Sequence, residues 1–147
     1  MMDKPLKIQR LTSVDDRLIS QLNEVFDEGT VWDHQQGNAF LEDADNLFLI
    51  AWWEGQIRGY VTGHRLQRFD RRQAEVLLYE INVHASAQRK GIGKALIGEV
   101  NRWAKDVGAD EVWVLTEADN TAAMAMYASA GGVEDTSDTR MFTYILE

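Results

Sequence analysis

The chain has no cysteine, one proline and three histidines among its 147 residues. Without cysteine there is no disulfide and no thiolate metal site. His34, His64 and His84 are scattered, lack ligand spacing and read as surface or turn residues, so no metal is expected. No apolar run reaches the ~18 residues that a membrane span requires. The start, "MMDKPLK", lacks the apolar stretch of a signal peptide. A soluble, cytoplasmic protein with no membrane partner is expected. The net charge of −9 speaks against a nucleic-acid binder, which presents a basic domain.

A further absence is local. From Leu18 to Ile57 there are eight acids and no lysine or arginine. From Arg58 to Lys105 ten bases stand against four acids, and from Asp106 onward nine acids stand against Arg140 alone. Such blocks often mean only solubility. The functional alternative is that the central segment holds an anion while the acidic flanks attract a cation.

What is present is an alternation of short elements in a chain of one-domain length, 1–147, with 45% hydrophobic residues. "LKIQRL" reads as a strand. Ser13 is placed to cap a helix with Val14, Leu18, Leu22 and Val25 on one face. A loop with Gly29 and Trp32 leads to a short helix around Asn38–Glu42. "LFLIAWW" and "IRGYVTGHRL", separated by Glu54-Gly55-Gln56, read as a hairpin, and "EVLLYEINV" as a largely buried third strand. Ile92, Leu96, Val100, Trp103 and Val107 mark a long amphipathic helix ending at Gly108. "EVWVL" reads as a strand, "TAAMAMYASA" as a helix stopped by Gly131-Gly132, and "MFTYILE" as a final strand. The expected class is mixed α/β, with an antiparallel start and a parallel pair around the long helix.

Between the third strand and the long helix lies "HASAQRKGIGKAL". A nucleotide P-loop fails at both ends, since Gln88 stands at its first glycine and Ala95 at its Ser/Thr. A dinucleotide fingerprint fails at Leu96, too large for close helix–strand contact. Gln88-Arg89-Lys90-Gly91-Ile92-Gly93 remains. Bare glycines let backbone N–H groups approach an anion, a helix N-terminus adds partial positive charge, and Arg89, Lys90 and Lys94 screen a multiply charged ligand. Taken alone, the glycines equally fit a loop that only needs positive φ.

Downstream, "NTAAMAMYASAG" supplies Asn120, Ala123, Tyr127 and Gly131. Together with the glycine loop, this resembles the GNAT superfamily of acyl-CoA-dependent N-acetyltransferases. The resemblance implies a GNAT fold, a mixed central sheet splayed around the acetyl-CoA site and flanked by about four helices. It implies a coenzyme A pyrophosphate on the backbone of Gln88–Lys94, with Gly91 and Gly93 in the cradle. The pantetheine arm would bond to main chain at Ile81 and Val83 as an added strand. Tyr127 matches the family's phenol near the leaving sulfur, and Asn120 would cap its helix and contact the pantetheine. "LLYEINVHASAQRKGIGKALI" is similar to the aminoglycoside 3-N-acetyltransferases of the gentamicin-modifying group, with Glu80 where that group commonly has Asp.

The chemistry needs a base, because an acceptor amine is protonated at neutral pH. Glu80, flanked by Leu78 and Ile81 in a strand expected to be buried, would have a raised pKa and serve, directly or through water. A structural or substrate-binding acid is the other reading. A backbone N–H near Val83 would stabilise the thioester oxygen as it gains charge. The expected reaction is acetyl transfer from acetyl-CoA to a primary amine of a small polycation, an aminoglycoside first, by direct attack in a ternary complex. Asp33, Glu117, Glu134 and Asp135 are the expected acceptor contacts, with Trp32 either stacking on a sugar ring or in the core. A protein or peptide amine, or a silent acyl-CoA-binding module, are the alternatives. A homodimer is carried as an expectation.

Overall fold

The computed structural model describes residues 4–27, 29 and 31–147. The chain runs β1 (Leu6–Arg10), α1 (Asp16–Val25), α2 (His34–Glu42), β2 (Asn46–Trp53), β3 (Gln56–Leu66), β4 (Ala74–Val83), α3 (Ile92–Asp106), β5 (Ala109–Trp113) and α4 (Thr121–Ser129). The sheet has the order β1-β2-β3-β4-β5. All neighbours are antiparallel except β4 and β5. The β2–β3 hairpin closes through Glu54 and Gly55, both at positive φ, the pairing whose twist matches that of the strands.

Helices cover both faces, which is why the central strands read as nearly continuous apolar runs. On one face α3 sets Ile92, Leu96 and Val100 against Leu49, Val61 and Val76. On the other, Ile19 and Leu22 of α1 meet Ile50, Ile57 and Tyr60. The β4–β5 register ends at Leu77 and Trp113, while β4 continues to Val83 paired with β3 alone. The sheet therefore splays, and one main-chain edge of β4 past Leu77 has no strand partner among the described residues.

Four sequence expectations change. The first concerns the cap of α1, which is Asp15 and not Ser13, its carboxylate accepting from Leu18 N at 2.8 Å. Val14 is otherwise engaged: its N–H donates to Asn38 Oδ1 and its carbonyl accepts from Asn38 Nδ2, both at 2.9 Å. That clamp to α2 keeps residue 14 out of the helix. Secondly, α2 starts earlier, at His34, because Asp33 caps it through Gln36 N. In the third case, β5 starts at Ala109 and stops before Val114 and Leu115. Finally, "MFTYILE" is not a strand. Residues 131–147 carry no regular secondary structure and every one is exposed. Alternation of apolar residues specifies a strand only where a sheet edge is within reach, and this segment leaves α4 without meeting one.

Candidate active site

The segment between β4 and α3 makes one short 3₁₀ turn, Ala85–Ala87, and then adopts two left-handed residues, Arg89 (φ 66°) and Gly91 (φ 80°). A non-glycine residue held there stores strain of the sort that clusters at ligand sites. Gly91 is the N-cap of α3 and offers no side chain to its first-turn N–H groups. A helix start left bare in this way suits an anion. Gln88, Arg89, Lys90 and Lys94 are all exposed around it. Lys90 Nζ lies 5.5 Å from the centroid of the Trp53 ring, a cation–π contact between this loop and β2.

Gly93 plays a part the sequence did not reveal. It is buried, and a Cβ there would overlap the sulfur of Met126 on α4. The bare position at 93 lets α4 dock on α3, whereas Gly91 is needed for its backbone conformation.

The opposite face of β3 and β4 floors a cavity of about 470 Å³, closed over by α1, α2 and the loop before α2. A β-bulge shapes that floor. Thr62 pairs with Glu80 and Gly63 with Leu78, so Tyr79 is the extra residue of β4. Bulges re-aim side chains; here both Tyr79 and Glu80 line the cavity. Glu80 is exposed to solvent and not, as the sequence led us to expect, enclosed by Leu78 and Ile81. Tyr79 and His64 meet edge to face at 5.7 Å, and His64 Nδ1 lies 2.8 Å from Asn46 Oδ1. Thr62 lines the same cavity, 7% exposed, and its buried hydroxyl has no hydrogen-bond partner among the described residues.

Trp32 takes the core role and the lining role together. It sits edge-on to Tyr60 at 5.2 Å and to Phe48 at 6.3 Å. Asn23 pins its backbone from both sides, accepting from Trp32 N and donating to Trp32 O, each at 2.8 Å. The walls are otherwise largely apolar, and Asp33 and Glu80 are the acids that line them. Tyr79, Thr62 and His64 were not among the sequence candidates; Tyr79 is signalled locally by its place next to Glu80 in β4, and Thr62 and His64 only by the pairing of β3 with β4.

On the α3 side, Asn120 caps α4 through Ala123 N at 3.1 Å, as expected. Tyr127 is half-buried against the α3 core, and burial pushes its phenol above the ordinary value of 10. Ile81 and Val83 are half-buried on the free stretch of β4. Glu117, Glu134 and Asp135 are exposed and do not line the cavity. Asp135 instead accepts from Ser137 N at 2.8 Å, which holds its carboxyl below the usual range. Asp33 and Glu80 are thus brought together, and the three C-terminal acids are not.

The bare helix start follows the splayed end of β4, whose opposite face floors the cavity. Residues 11–131 match the Acetyltransferase (GNAT) family, and the chain belongs to that family. It is 30% identical to N-alpha-acetyltransferase RimI of Mycobacterium tuberculosis over 129 residues, 87% of this chain and 78% of that protein. It is 30% identical to N-acetyltransferase 8 of Homo sapiens over 93 residues, 63% of this chain but 41% of that one, so it spans less than half of that relative. The crystal structure of an aminoglycoside acetyltransferase from an uncultured soil metagenomic sample, in complex with trehalose, superposes with a TM-score of 0.84 at 25% identity. That match covers 97% of both chains, so it runs into the segment after α4. A second crystal structure of that protein holds sisomicin. The mixed five-stranded sheet with four helices is the GNAT fold.

Proposed function

We propose that this chain transfers an acetyl group from acetyl-CoA to a primary amine by direct attack in a ternary complex. One observation carries the reading: the splay of β4 from β5 lies between a bare α3 N-terminus and a cavity that presents Glu80. The residues suit the cosubstrate. The α3 start with Gln88, Arg89, Lys90, Gly91 and Lys94 would hold the pyrophosphate, and the free main-chain edge at Ile81 and Val83 would hold the pantetheine arm. Acetyl-CoA supplies the activated thioester. The amine nitrogen forms the new bond to the acyl carbon as the carbon–sulfur bond breaks. Glu80, directly or through water, accepts the proton that the amine gives up. A backbone N–H near Val83 would stabilise the charge that develops on the acyl oxygen, and the Tyr127 hydroxyl would donate a proton to the departing sulfur.

The acceptor proposed first is a small polycation, an aminoglycoside. Its support is the cavity size, the sisomicin-bound structural neighbour, and the two acids, Asp33 and Glu80, that line the same cavity. The gentamicin-modifying, 3-N type remains the proposal of sequence resemblance alone. The apolar walls around Trp32, Phe40 and Phe48 favour a second reading, an amine carried on an apolar body such as a peptide N-terminus. Incubation with acetyl-CoA and a panel of aminoglycosides, polyamines and peptides, read by mass spectrometry, separates the two. Acetylated aminoglycoside formed at the highest kcat/KM supports the first. A preference for peptides with an apolar first residue replaces it with the second.

Two substitutions test the cavity. Asp33→Asn keeps an oxygen to cap α2 and removes the charge. The acceptor KM should rise by about three- to tenfold, the equivalent of ~1 kcal/mol for a partly exposed ion pair, and lose much of its salt dependence. The acetyl-CoA KM should not move. For Thr62→Val, the buried unpaired hydroxyl is exchanged for a methyl, so urea denaturation should show equal or greater stability, by up to ~1 kcal/mol. The acceptor KM should nonetheless rise, because the hydroxyl is then the acceptor's partner; an unchanged KM would assign Thr62 to the fold alone.

A further inference from the structure

His64 reads from the sequence as a surface or turn residue, yet it stands inside β3, half-buried, in the wall of the cavity. Its cross-strand neighbour on β2 is Asn46. The Asn46 amide is held at both ends. Its Nδ2 donates to the Phe40 carbonyl at 3.0 Å, and its Oδ1 lies 2.8 Å from His64 Nδ1. A carbonyl oxygen only accepts, so the first bond fixes which end of the amide carries nitrogen. The end that meets the imidazole is therefore an oxygen, which also only accepts. His64 Nδ1 carries the hydrogen in that bond. In a neutral imidazole the other nitrogen, Nε2, then holds a lone pair and no hydrogen.

The ring is held as well as its tautomer. Phe40 of α2 packs edge to face on it at 5.5 Å and Tyr79 at 5.7 Å, both at 78°. Tyr79 reaches it as the extra residue of the β4 bulge. β2, α2 and β4 thus all set the position of one imidazole on β3. Nε2 has no hydrogen-bond or ionic partner among the described residues. Polar atoms away from bulk water are normally matched, so an acceptor fixed in a cavity wall without a donor marks a place for one to arrive. Thr62 lies two residues away on the same face of β3, and its cross-strand neighbour is Glu80. One patch of the cavity therefore carries a nitrogen acceptor, a hydroxyl and a carboxylate.

We infer that His64 positions the acceptor amine: its Nε2 accepts an N–H from the nitrogen that is acetylated, and Asn46 holds the tautomer that allows it. A primary ammonium has three N–H groups. Once Glu80 has taken one proton, two remain, and an acceptor on one of them limits where the freed lone pair can point. The opposite tautomer would set an N–H against the amine's own N–H and repel it. His64 touches the substrate, whereas Asn46 acts through His64. The inference rests on the acetyltransferase reading and on this cavity as the acceptor site.

Two variants divide the imidazole into its halves. His64→Asn keeps an N–H where Nδ1–H stood and removes the acceptor. His64→Gln reaches the place of Nε2 with a carbonyl oxygen and gives up the bond to Asn46. Both are assayed with the best amine of the aminoglycoside, polyamine and peptide panel, at about pH 8.5, above the ordinary imidazole range. The Asn variant should lose about tenfold in kcat/KM for the amine, the scale of one hydrogen bond to a charged group, with the acetyl-CoA KM within about twofold. The Gln variant should lose less. A histidine that only supports the fold gives the reverse order, because Asn preserves its bond to Asn46.

The tautomer is read without any amine. Long-range proton–nitrogen NMR of the isotope-labelled protein, with three imidazoles to assign, should place the His64 hydrogen on Nδ1. Asn46→Ala should disturb that pattern and lose about as much kcat/KM as His64→Asn. If no amine in the panel is acetylated, the acetyltransferase reading fails and takes this inference with it. If amines are acetylated but the Asn variant loses no more than the Gln variant, or the wild-type hydrogen sits on Nε2, the inference alone is overturned.

Discussion

Tyr127→Phe should lower kcat by about 10²–10⁴, the range that a positioned proton donor contributes, and leave the acetyl-CoA affinity within about twofold. The phenyl ring keeps the packing of Tyr127 against the α3 core, so a loss of stability is not the cause. Burial raises the phenol above its ordinary value. Burial favours the neutral form, so the proton is retained through neutral and mildly alkaline pH and is lost only above about 10. Wild-type kcat should therefore show no alkaline fall attributable to this group until that range, and the variant should lack that limb. The same shift has a consequence for folding. The native state resists ionisation more than the unfolded chain does, so this group's contribution is fully present below about 10 and is lost as pH rises above it. Thermal unfolding of the Phe variant should show less alkaline sensitivity than the wild type. A variant with wild-type turnover at all pH values would remove Tyr127 from the chemistry.

The second large effect is at Gly93. Gly93→Val should crowd α4, because the added carbons occupy the space of the Met126 sulfur and force that side chain to turn aside or to carry α4 with it. Overpacking of this kind costs about 1–3 kcal/mol, and moving α4 moves Tyr127 with it, so turnover should fall to near background. Combining it with Met126→Ala should relieve the clash and restore much of both stability and acetyl-CoA affinity, a non-additive pair of the sort expected for side chains in contact. Calorimetry and urea denaturation on the four proteins give the cycle. Stability restored without affinity would mean that Gly93 is bare for the cofactor as well as for α4.

Much of this architecture could be read before any coordinates. Glu54-Gly55 between two apolar runs needs only local turn chemistry, the stripe from Ile92 to Trp103 needs only a period of 3.6, and Asn120 three residues before Ala123 is a local cap. What failed was non-local. The Tyr79 bulge exists only in the pairing of β4 with β3, and no pattern within either strand announces it. It turned an expected buried base into a cavity-lining, solvent-exposed carboxylate. Ser13 looked like a cap, but the Val14–Asn38 clamp, which spans 24 residues, moved the helix start to Asp16. The packing of Gly93 beside Met126, added to its expected place in the cradle, was hidden because Met126 lies far along the chain. "MFTYILE" has a strand's composition, yet a strand is a relation between two segments, and its own sheet does not supply the second.

The most direct test is thiol release from acetyl-CoA by the wild-type chain, measured with and without a primary amine, beside Tyr127→Phe. The account predicts release that depends on the amine, matched mole for mole by acetylated product, with double-reciprocal lines that intersect as a ternary complex requires, and strongly reduced in the variant. Tight acetyl-CoA binding with no amine-dependent release across aminoglycosides, polyamines and peptides would contradict it, and would make the chain an acyl-CoA-binding module.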